Sequence, residues 1–399
     1  MTLLIDPPNS AGHGRLWSHL ASDTSYDELH RFAAVLGIPR RGFDRDHYDI
    51  PTDRYDEVVA AGAVPVSSRE VVARLSGAGL RRRKPGTLAP RRPGTPLLRA
   101  RRLHAGDRVA VVAPAGPVPE ERLHPGIEVL ESWGLRVVVG AHSRGTHQRF
   151  GYLAADDVHR AADLADAWCD PEVAAVFCAR GGYGSQRIVD LLDWPTLAVA
   201  GPRVLVGFSD VTALHQAFAT RFGLSTIHGP AVSSLGSGDQ ESRAHLRSML
   251  FEPAEGTTLT PNPALTLVPG RADGVLAGGN IALLAAEAGT STWRPATGCI
   301  AVLEDIGESA YRLDRLLTQL LRAGWFAGIR GIALGDFTDC VSPEAVRDLA
   351  MDRLAPLGVP MVSGVPVGHE RRNLAFPLGV PATLDADAGT LVLGRAPLL

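Results

Sequence analysis

The stretch Arg203-Val-Leu-Val-Gly-Phe-Ser-Asp210, followed directly by Val211-Thr-Ala-Leu-His-Gln-Ala-Phe218, decides the fold of this 399-residue chain. Its first half is a short apolar run typical of a buried strand, and its second half predicts a helix that opens on an acidic residue. Ser209 lies in the turn between them, at the positive end of the helix, where backbone N–H groups lack partners. The turn indicates either a capping serine or an accessible nucleophile beside part of an oxyanion hole.

Strands and helices alternate along the chain before this stretch. Predicted strands cover residues 108–113, 136–139 and 173–178. Such alternation predicts βαβ units in a parallel, doubly wound, flavodoxin-like sheet, whose ligands bind beyond the carboxyl ends of the strands. Three loops are expected to meet at that edge: 114–117, 180–185 and 207–210.

The composition changes along the chain and predicts its domains. Residues 78–105 are rich in Arg and Pro, and no acid occurs between Glu70 and Asp107, so we expect an extended basic linker there. The segments predicted on either side are a small α+β domain (1–77), the α/β nucleophile domain (106–265) and a mixed α/β C-terminal domain (266–399) that closes on a hairpin.

Overall composition indicates a soluble globular enzyme. The chain is 45% hydrophobic and 21% charged, with a net charge of −3, so neither nucleic acid nor a membrane is an expected partner. Its N-terminus lacks the basic and apolar regions of a secretory signal, which favours the cytoplasm. The four cysteines show no metal-ligand spacing. The histidines of residues 1–77, including His13, His19, His30 and His47, show none either, so we expect no metal and no cofactor.

A serine nucleophile needs a base, and the base needs an orienting group. His369, in the glycine-flanked loop Val367-Gly-His, is the best candidate for the base. Glu304, predicted to follow a strand that ends at Leu303, is the best candidate for the acid. Rivals stay open for both roles, namely His215 and His228 for the base and Asp305 and Glu308 for the acid.

The loop Arg180-Gly-Gly-Tyr-Gly-Ser185 has two interpretations. Successive glycines after a strand let backbone N–H groups approach a ligand, either a phosphate or an oxyanion. The glycine spacing matches neither the dinucleotide fingerprint nor the P-loop. The phosphate interpretation leaves a non-catalytic nucleotide or sugar-binding module as an alternative function.

Residues 107–396 resemble the LD-carboxypeptidase family of serine peptidases, which includes murein tetrapeptide carboxypeptidases and microcin C immunity peptidases. The motifs that carry the resemblance are, in chain order, Val112-Ala-Pro-Ala-Gly-Pro117, Ala179-Arg-Gly-Gly-Tyr-Gly184, Gly207-Phe-Ser-Asp210, His228-Gly-Pro230, Gly278-Gly-Asn280, Leu303-Glu-Asp-Ile-Gly-Glu308, Tyr311-Arg-Leu-Asp314, Gly335-Asp-Phe337 and Val367-Gly-His369. The first 77 residues resemble a small bacterial domain of unknown function, through Asp6-Pro-Pro and Asp46-His-Tyr-Asp-Ile-Pro51.

The resemblance implies a role for each matching residue. It implies a triad of nucleophile Ser209, acid Glu304 and base His369. The implied oxyanion hole combines the amide of Asp210 with that of Gly181 or Gly182. Candidates for binding the substrate are Arg180, Asn280 and Arg371, with Arg372 as a further possible partner of a substrate carboxylate.

The implied activity is hydrolysis of an L,D-peptide bond, which releases terminal D-alanine from murein tetrapeptides during cell-wall peptide recycling. An immunity-type peptidase that cleaves peptidyl or aminoacyl nucleotide amides is the alternative within the family. Such an enzyme is expected to carry an aromatic platform for the base, and residues 232–275 contain no clear one. The resemblance also implies a homodimer.

Overall fold

The computed structural model describes residues 2–8, 10–12, 15–44, 46–78, 80, 94–260 and 264–399. The chain forms two compact units, Met1–Gly86 and Thr87–Leu399. Within the described residues, every helix is too short or too polar to cross a lipid bilayer.

The first unit is a small α+β fold. Its strands are β1 (Leu3–Ile5), β2 (Ser10–Gly12), β3 (Arg15–Ser22), β4 (Phe43–Asp44), β5 (His47–Pro51) and β6 (Val64–Pro65), in the sheet order β4-β5-β3-β1-β6 with β2 paired to β3. Its helices are α1 (Tyr26–Val35), α2 (Tyr55–Ala60) and α3 (Ser68–Gly77). Ser25 caps α1 by accepting a hydrogen bond from the Glu28 amide at 3.2 Å. Alternate residues of the sheet, such as Leu20 and Ile50, form the core.

The second unit begins with the predicted parallel sheet. Its strands are β7 (Arg108–Val112), β8 (Arg136–Val139), β9 (Val173–Cys178), β10 (Val204–Gly207) and β11 (Thr226–His228). Their spatial order β8-β7-β9-β10-β11 is the flavodoxin-like order, with the change of direction between β7 and β9. The helices of this part are α4 (Glu120–Ser132), α5 (Asp157–Cys169), α6 (Ser185–Val189), α7 (Trp194–Ala200), α8 (Thr212–Phe222), α9 (Val232–Leu235) and α10 (Gln240–Phe251).

A mixed sheet forms the rest of the second unit. Its strands are β12 (Leu265–Val268), β13 (Arg271–Asn280), β14 (Cys299–Ile306), β15 (Gly331–Thr338), β16 (Met361–Ser363), β18 (Pro381–Asp385) and β19 (Thr390–Leu393), in the order β12-β16-β15-β14-β13-β18-β19. Strands β13 to β16 are parallel, and β18 and β19 form the predicted closing hairpin. The helices here are α11 (Ile281–Ala286), α12 (Ala310–Arg322) and α13 (Pro343–Leu354).

Long-range contacts join the two sheets, and two of them position the site. Strand β17 (Phe376–Leu378) belongs by sequence to the C-terminal part but pairs antiparallel with β11 at the edge of the flavodoxin-like sheet. Thr212, the first residue of α8, accepts a hydrogen bond from the amide of Asn280 at 3.1 Å. The helix after Ser209 therefore packs directly on the second sheet.

Part of the predicted linker belongs to the second unit. Leu97, Ala100 and Leu103 are buried, and the Leu97 amide donates to the Gly379 carbonyl at 2.8 Å. Residues 94–105 therefore pack against the second unit and are not a solvated spacer, because these three apolar side chains are buried there. Residues 81–93 of the predicted linker lie outside the described residues.

Candidate active site

Ser209 sits in a strained turn at the carboxyl end of β10. A 3-10 turn over Ser209–Val211 precedes α8, so the α-helix begins at Thr212 rather than at the acidic residue. The φ of Ser209 is 61°, in the left-handed region that L residues other than glycine seldom adopt. Such strain persists only where the surroundings enforce it. The side chain of Ser209 is half-buried.

The glycine loop between β9 and α6 lies against Ser209. A Cβ atom added at Gly181 would lie 2.9 Å from Ser209 Cβ and 3.2 Å from its Oγ. The Gly116 amide donates to the Gly181 carbonyl at 3.1 Å, and this bond connects the loop after β7 to the glycine loop. The three loops predicted at the sheet edge therefore lie together there.

The Asp210 side chain fastens the glycine loop to the turn. Its Oδ2 accepts a hydrogen bond from the Ser185 amide at 2.7 Å, and the residue is only 1% exposed. Burial raises the pKa of this carboxyl, while bonds from Ser185 and Gly184 partly offset the rise. The bond fixes the end of the glycine loop, and the predicted oxyanion donors, the amides of Gly181 and Gly182, lie earlier in the same loop.

Arg160 stabilises this edge of the sheet, and the sequence analysis did not identify it. Its guanidinium is 1% exposed and donates to the carbonyls of Pro114 and Gly184, the latter at 2.9 Å. A salt bridge to Asp157 balances its charge. One buried cation thus ties the loop after β7 to the loop after β9. The signal in the sequence was an arginine beside Ala161 on the apolar side of a predicted helix.

Glu304 and His369 form the predicted acid–base pair. His369 Nδ1 lies 2.8 Å from Glu304 Oε2, and the Glu304 side chain is fully buried. Glu304 lies inside β14, opposite Asn280, so the prediction that the strand stops at Leu303 is wrong. Burial alone would raise the pKa of Glu304, but His228 and His369 outweigh it and lower the pKa to about 2.

His369 also contacts the turn that carries Ser209. The ring of Phe208, the residue before Ser209, packs on the His369 ring with centroids 4.8 Å apart. His228, fully buried, faces the other carboxylate oxygen, with Nε2 3.8 Å from Glu304 Oε1. The structure therefore brings the Ser209 turn, His369 and Glu304 to one place.

The rival acids and bases have other partners. Asp305 accepts bonds from Asn280 Nδ2 and the Ala282 amide, and burial raises its pKa to about 6. Glu308 pairs with Arg312 at 2.7 Å. His215 Nε2 bonds the Gly207 carbonyl at 2.9 Å, and burial lowers its pKa to about 3.

Asn280 requires a correction as a substrate-binding candidate. It is 2% exposed, and its Oδ1 accepts from the Leu283 amide at 3.2 Å as the N-cap of α11. Its Nδ2 donates to Asp305 at 2.9 Å. Both ends of the amide are engaged inside the protein, so Asn280 is assigned a structural role.

A cleft of about 150 Å³ opens beside His369 and Phe208. Three arginines line it, namely Arg122, Arg243 and Arg371. Arg371 is the predicted substrate ligand that reaches this cleft, whereas sequence reasoning missed the other two because they lie on distant helices. Of the other predicted cations, Arg180 donates to the Pro117 carbonyl at 2.9 Å, and Arg372 pairs with Glu241 at 2.7 Å.

Known proteins resemble both halves of the second unit. Residues 109–229 match the family described as the LD-carboxypeptidase N-terminal domain, and residues 273–384 match the LD-carboxypeptidase C-terminal domain. A putative carboxypeptidase of Streptomyces coelicolor is 54% identical over 304 residues, which cover 76% of this chain and 98% of that protein. The chain belongs to the LD-carboxypeptidase family. The murein tetrapeptide carboxypeptidase of Pseudomonas aeruginosa is 38% identical over 292 residues, covering 70% of this LD-carboxypeptidase and 94% of that relative.

Solved structures share the fold of this LD-carboxypeptidase. The muramoyltetrapeptide carboxypeptidase of Oxalobacter formigenes matches with a TM-score of 0.61 at 31% identity, over 73% of this chain and 99% of that one. An MccF-like protein of Bacillus anthracis matches with a TM-score of 0.67 at 24% identity, over 74% and 99%, and this likeness concerns the fold. The predicted α/β fold class and family are confirmed.

The first unit of this LD-carboxypeptidase has a family match of its own. Residues 3–78 match a family described as a protein of unknown function, DUF4031. The predicted resemblance of this segment is therefore confirmed, and the match assigns it no activity.

Proposed function

We propose that this peptidase is a serine-type LD-carboxypeptidase that releases terminal D-alanine from murein tetrapeptides. The observation that carries the proposal is the 2.8 Å contact between His369 Nδ1 and buried Glu304, beside the strained turn of Ser209. A histidine oriented by a buried carboxylate next to an accessible serine is the arrangement of a catalytic triad.

The proposed mechanism follows from the hydrogen bonds. With Nδ1–H donating to Glu304, Nε2 of His369 has the lone pair that takes the Ser209 proton during attack on the scissile carbonyl. The amides of Asp210 and of Gly181 or Gly182 would stabilise the oxyanion. His369 then protonates the leaving amine, and water hydrolyses the acyl-enzyme.

The charge of the cleft supports an anionic peptide substrate. A murein tetrapeptide carries several carboxylates, including the terminal D-alanine that leaves. Arg122, Arg243 and Arg371 line the same cleft as His369, and the acid Glu370 offsets only part of their charge. Guanidinium groups bind carboxylates in bidentate fashion. Exposed Arg371, two residues after His369, is our first choice for the terminal carboxylate.

The lining of the cleft favours murein peptides over nucleotide amides. Among the described lining residues the aromatic ring is that of Phe208, which packs on His369 and leaves no second ring for stacking a base. A panel that pairs a diaminopimelate tetrapeptide with an aminoacyl sulfamoyl nucleotide separates the two substrates. Faster turnover of the nucleotide would reject the murein assignment.

The test of catalysis is Ser209→Ala, assayed by mass spectrometry for D-alanine release from the tetrapeptide. We expect kcat to fall by about four or more orders of magnitude, because the nucleophile is lost. Ser248→Ala, on the exposed surface of α10, is the matched control and should retain full activity. Turnover by Ser209→Ala at the wild-type rate would reject a serine mechanism.

Cellular context is part of the same proposal. Recycling of murein peptides would place the protein in the cytoplasm, and a homodimer is the assembly expected of the family. Fractionation of cells and sedimentation of the purified chain test these two points.

A further inference from the structure

Three potential metal ligands meet on one face of the first unit. His19 on β3 lies directly opposite Asp49 on β5, because the antiparallel register pairs these residues. His47 lies two residues before Asp49 and so projects from the same face of β5. One ligand atom from each of the three residues lies within 4.8 Å of the others. His19 and His47 are 28 positions apart, so strand pairing creates a cluster that sequence spacing concealed.

A buried carboxylate orients each histidine. His19 Nδ1 lies 2.9 Å from Asp6 Oδ2, and His47 Nδ1 lies 2.6 Å from Asp46 Oδ1. Asp6 and Asp46 are each 1% exposed, and Ser68 Oγ also donates to Asp6, at 2.5 Å. Because each Nδ1 faces a buried carboxylate, Nε2 is the nitrogen of each ring that can coordinate an ion; on His47 the ion would displace the proton that Nε2 shares with Asp49 at 3.3 Å. Metal-bound histidines commonly have this carboxylate partner on the second nitrogen.

We propose that His19, His47 and Asp49 bind a divalent first-row transition-metal ion. Two imidazoles and one carboxylate suit Zn²⁺, Fe²⁺ or Co²⁺ better than Ca²⁺ or Mg²⁺, which prefer oxygen ligands alone. Ligand atoms at about 2.1 Å from such an ion lie roughly 3.4 Å from one another. His47 Nε2 and Asp49 Oδ1 are already 3.3 Å apart.

The exposure of the cluster indicates a site with open coordination positions. The Asp49 side chain is 45% exposed and that of His19 29%, whereas that of His47 is 10% exposed. Three protein ligands, two of them exposed to solvent, leave room for water or for a substrate on the metal, as in catalytic rather than closed structural sites. The family match assigns no activity to this unit, so the proposed metal site is the starting point for a search for its function.

The test is a titration of the full-length, tag-free chain with Zn²⁺ after removal of metals with a chelator. Isothermal calorimetry should give one ion per chain, bound more tightly than Mg²⁺ or Ca²⁺. Asp49→Asn removes a ligand at an exposed position and should weaken Zn²⁺ affinity by at least about tenfold, and Asp46→Asn by about 10- to 100-fold, because it disturbs the orientation of His47.

Asp56→Asn, an exposed acid on α2 of the same unit, is the matched control and should bind as the wild type does. Circular dichroism of each metal-free variant checks that it is folded. Absence of stoichiometric Zn²⁺ uptake by the wild type would overturn the proposal. Unchanged affinity in Asp49→Asn would overturn it as well, since the ion would then bind elsewhere.

Discussion

Glu304 is the residue whose charge the candidate site depends on. It is fully buried, and its pKa of about 2 keeps it ionised at neutral pH, so it can hold His369 in one tautomer and one orientation. Glu304→Gln preserves shape but removes the charge, and the amide can present N–H to Nδ1 in place of an acceptor. We expect kcat to fall by about 10³- to 10⁴-fold with KM little changed, measured by D-alanine release.

Glu344→Gln, on the exposed start of α13, is the matched control for that substitution. A loss of less than about tenfold in Glu304→Gln, with the fold intact by circular dichroism, would contradict the role of Glu304 as the orienting acid.

Asp336 lies beside the loop that carries His369, where its amide donates to the Val367 carbonyl, and it makes the folding stability of the protein depend on pH. Burial, followed by repulsion from Glu370 and Glu304, raises the pKa of Asp336 from 3.8 to about 7. The folded chain therefore binds a proton that the unfolded chain has released between about pH 4 and 7, so this residue lowers stability as pH rises through that window. Asp336→Asn mimics the protonated form and should raise Tm by a few °C at pH 8 but not at pH 4.

Thermal unfolding of both proteins across this pH range measures the effect, with Asp352→Asn on the exposed side of α13 as control. A difference in Tm between Asp336→Asn and wild type that is the same at pH 4 and pH 8 would contradict the assignment.

Among the structural elements, the loop between β9 and α6 contains the proposed oxyanion donors, so a substitution in this loop tests the oxyanion hole. Alanine at Gly181 would bring a methyl group to 2.9 Å from Ser209 Cβ, and the strained turn leaves Ser209 little room to move. We expect Gly181→Ala to lower kcat by about 10²- to 10³-fold, the cost of one misplaced oxyanion donor. Gly77→Ala, which meets no atom within 4 Å, is the control. Wild-type kcat in Gly181→Ala would show that this loop does not shape the site.

The sequence predicts elements better than it predicts which side chains meet. The apolar runs of β7, β9 and β10 and the turn at Ser209 are local patterns, and the structure has them. Short-range patterns give no sign that β14 continues past Glu304, because the pairing of Asn280 with Glu304 that extends it joins distant segments. Local position made Glu304 and His369 the best candidates, and the resemblance to a known family decided between them and their rivals. Arg122 and Arg243 reach the cleft through tertiary contacts that no local pattern records.

At the scale of the whole molecule, the second unit contains every residue of the candidate active site. The Streptomyces coelicolor relative is matched over 98% of its length by 76% of this chain, so a related protein consists almost entirely of this part. We therefore expect residues 87–399 to fold and to hydrolyse substrate independently of residues 1–86.

The decisive comparison is between chains that begin at residue 87 and at residue 106. The shorter chain lacks Leu97 and Leu103, which are buried, and the bond from the Arg102 amide to the Leu399 carbonyl at 2.8 Å. Each lost leucine removes about 1.5–3 kcal/mol of burial. We expect residues 87–399 to match the full chain in kcat within about twofold, and residues 106–399 to unfold at least several °C lower. Equal Tm values for the two truncated chains would show that residues 94–105 are a spacer after all.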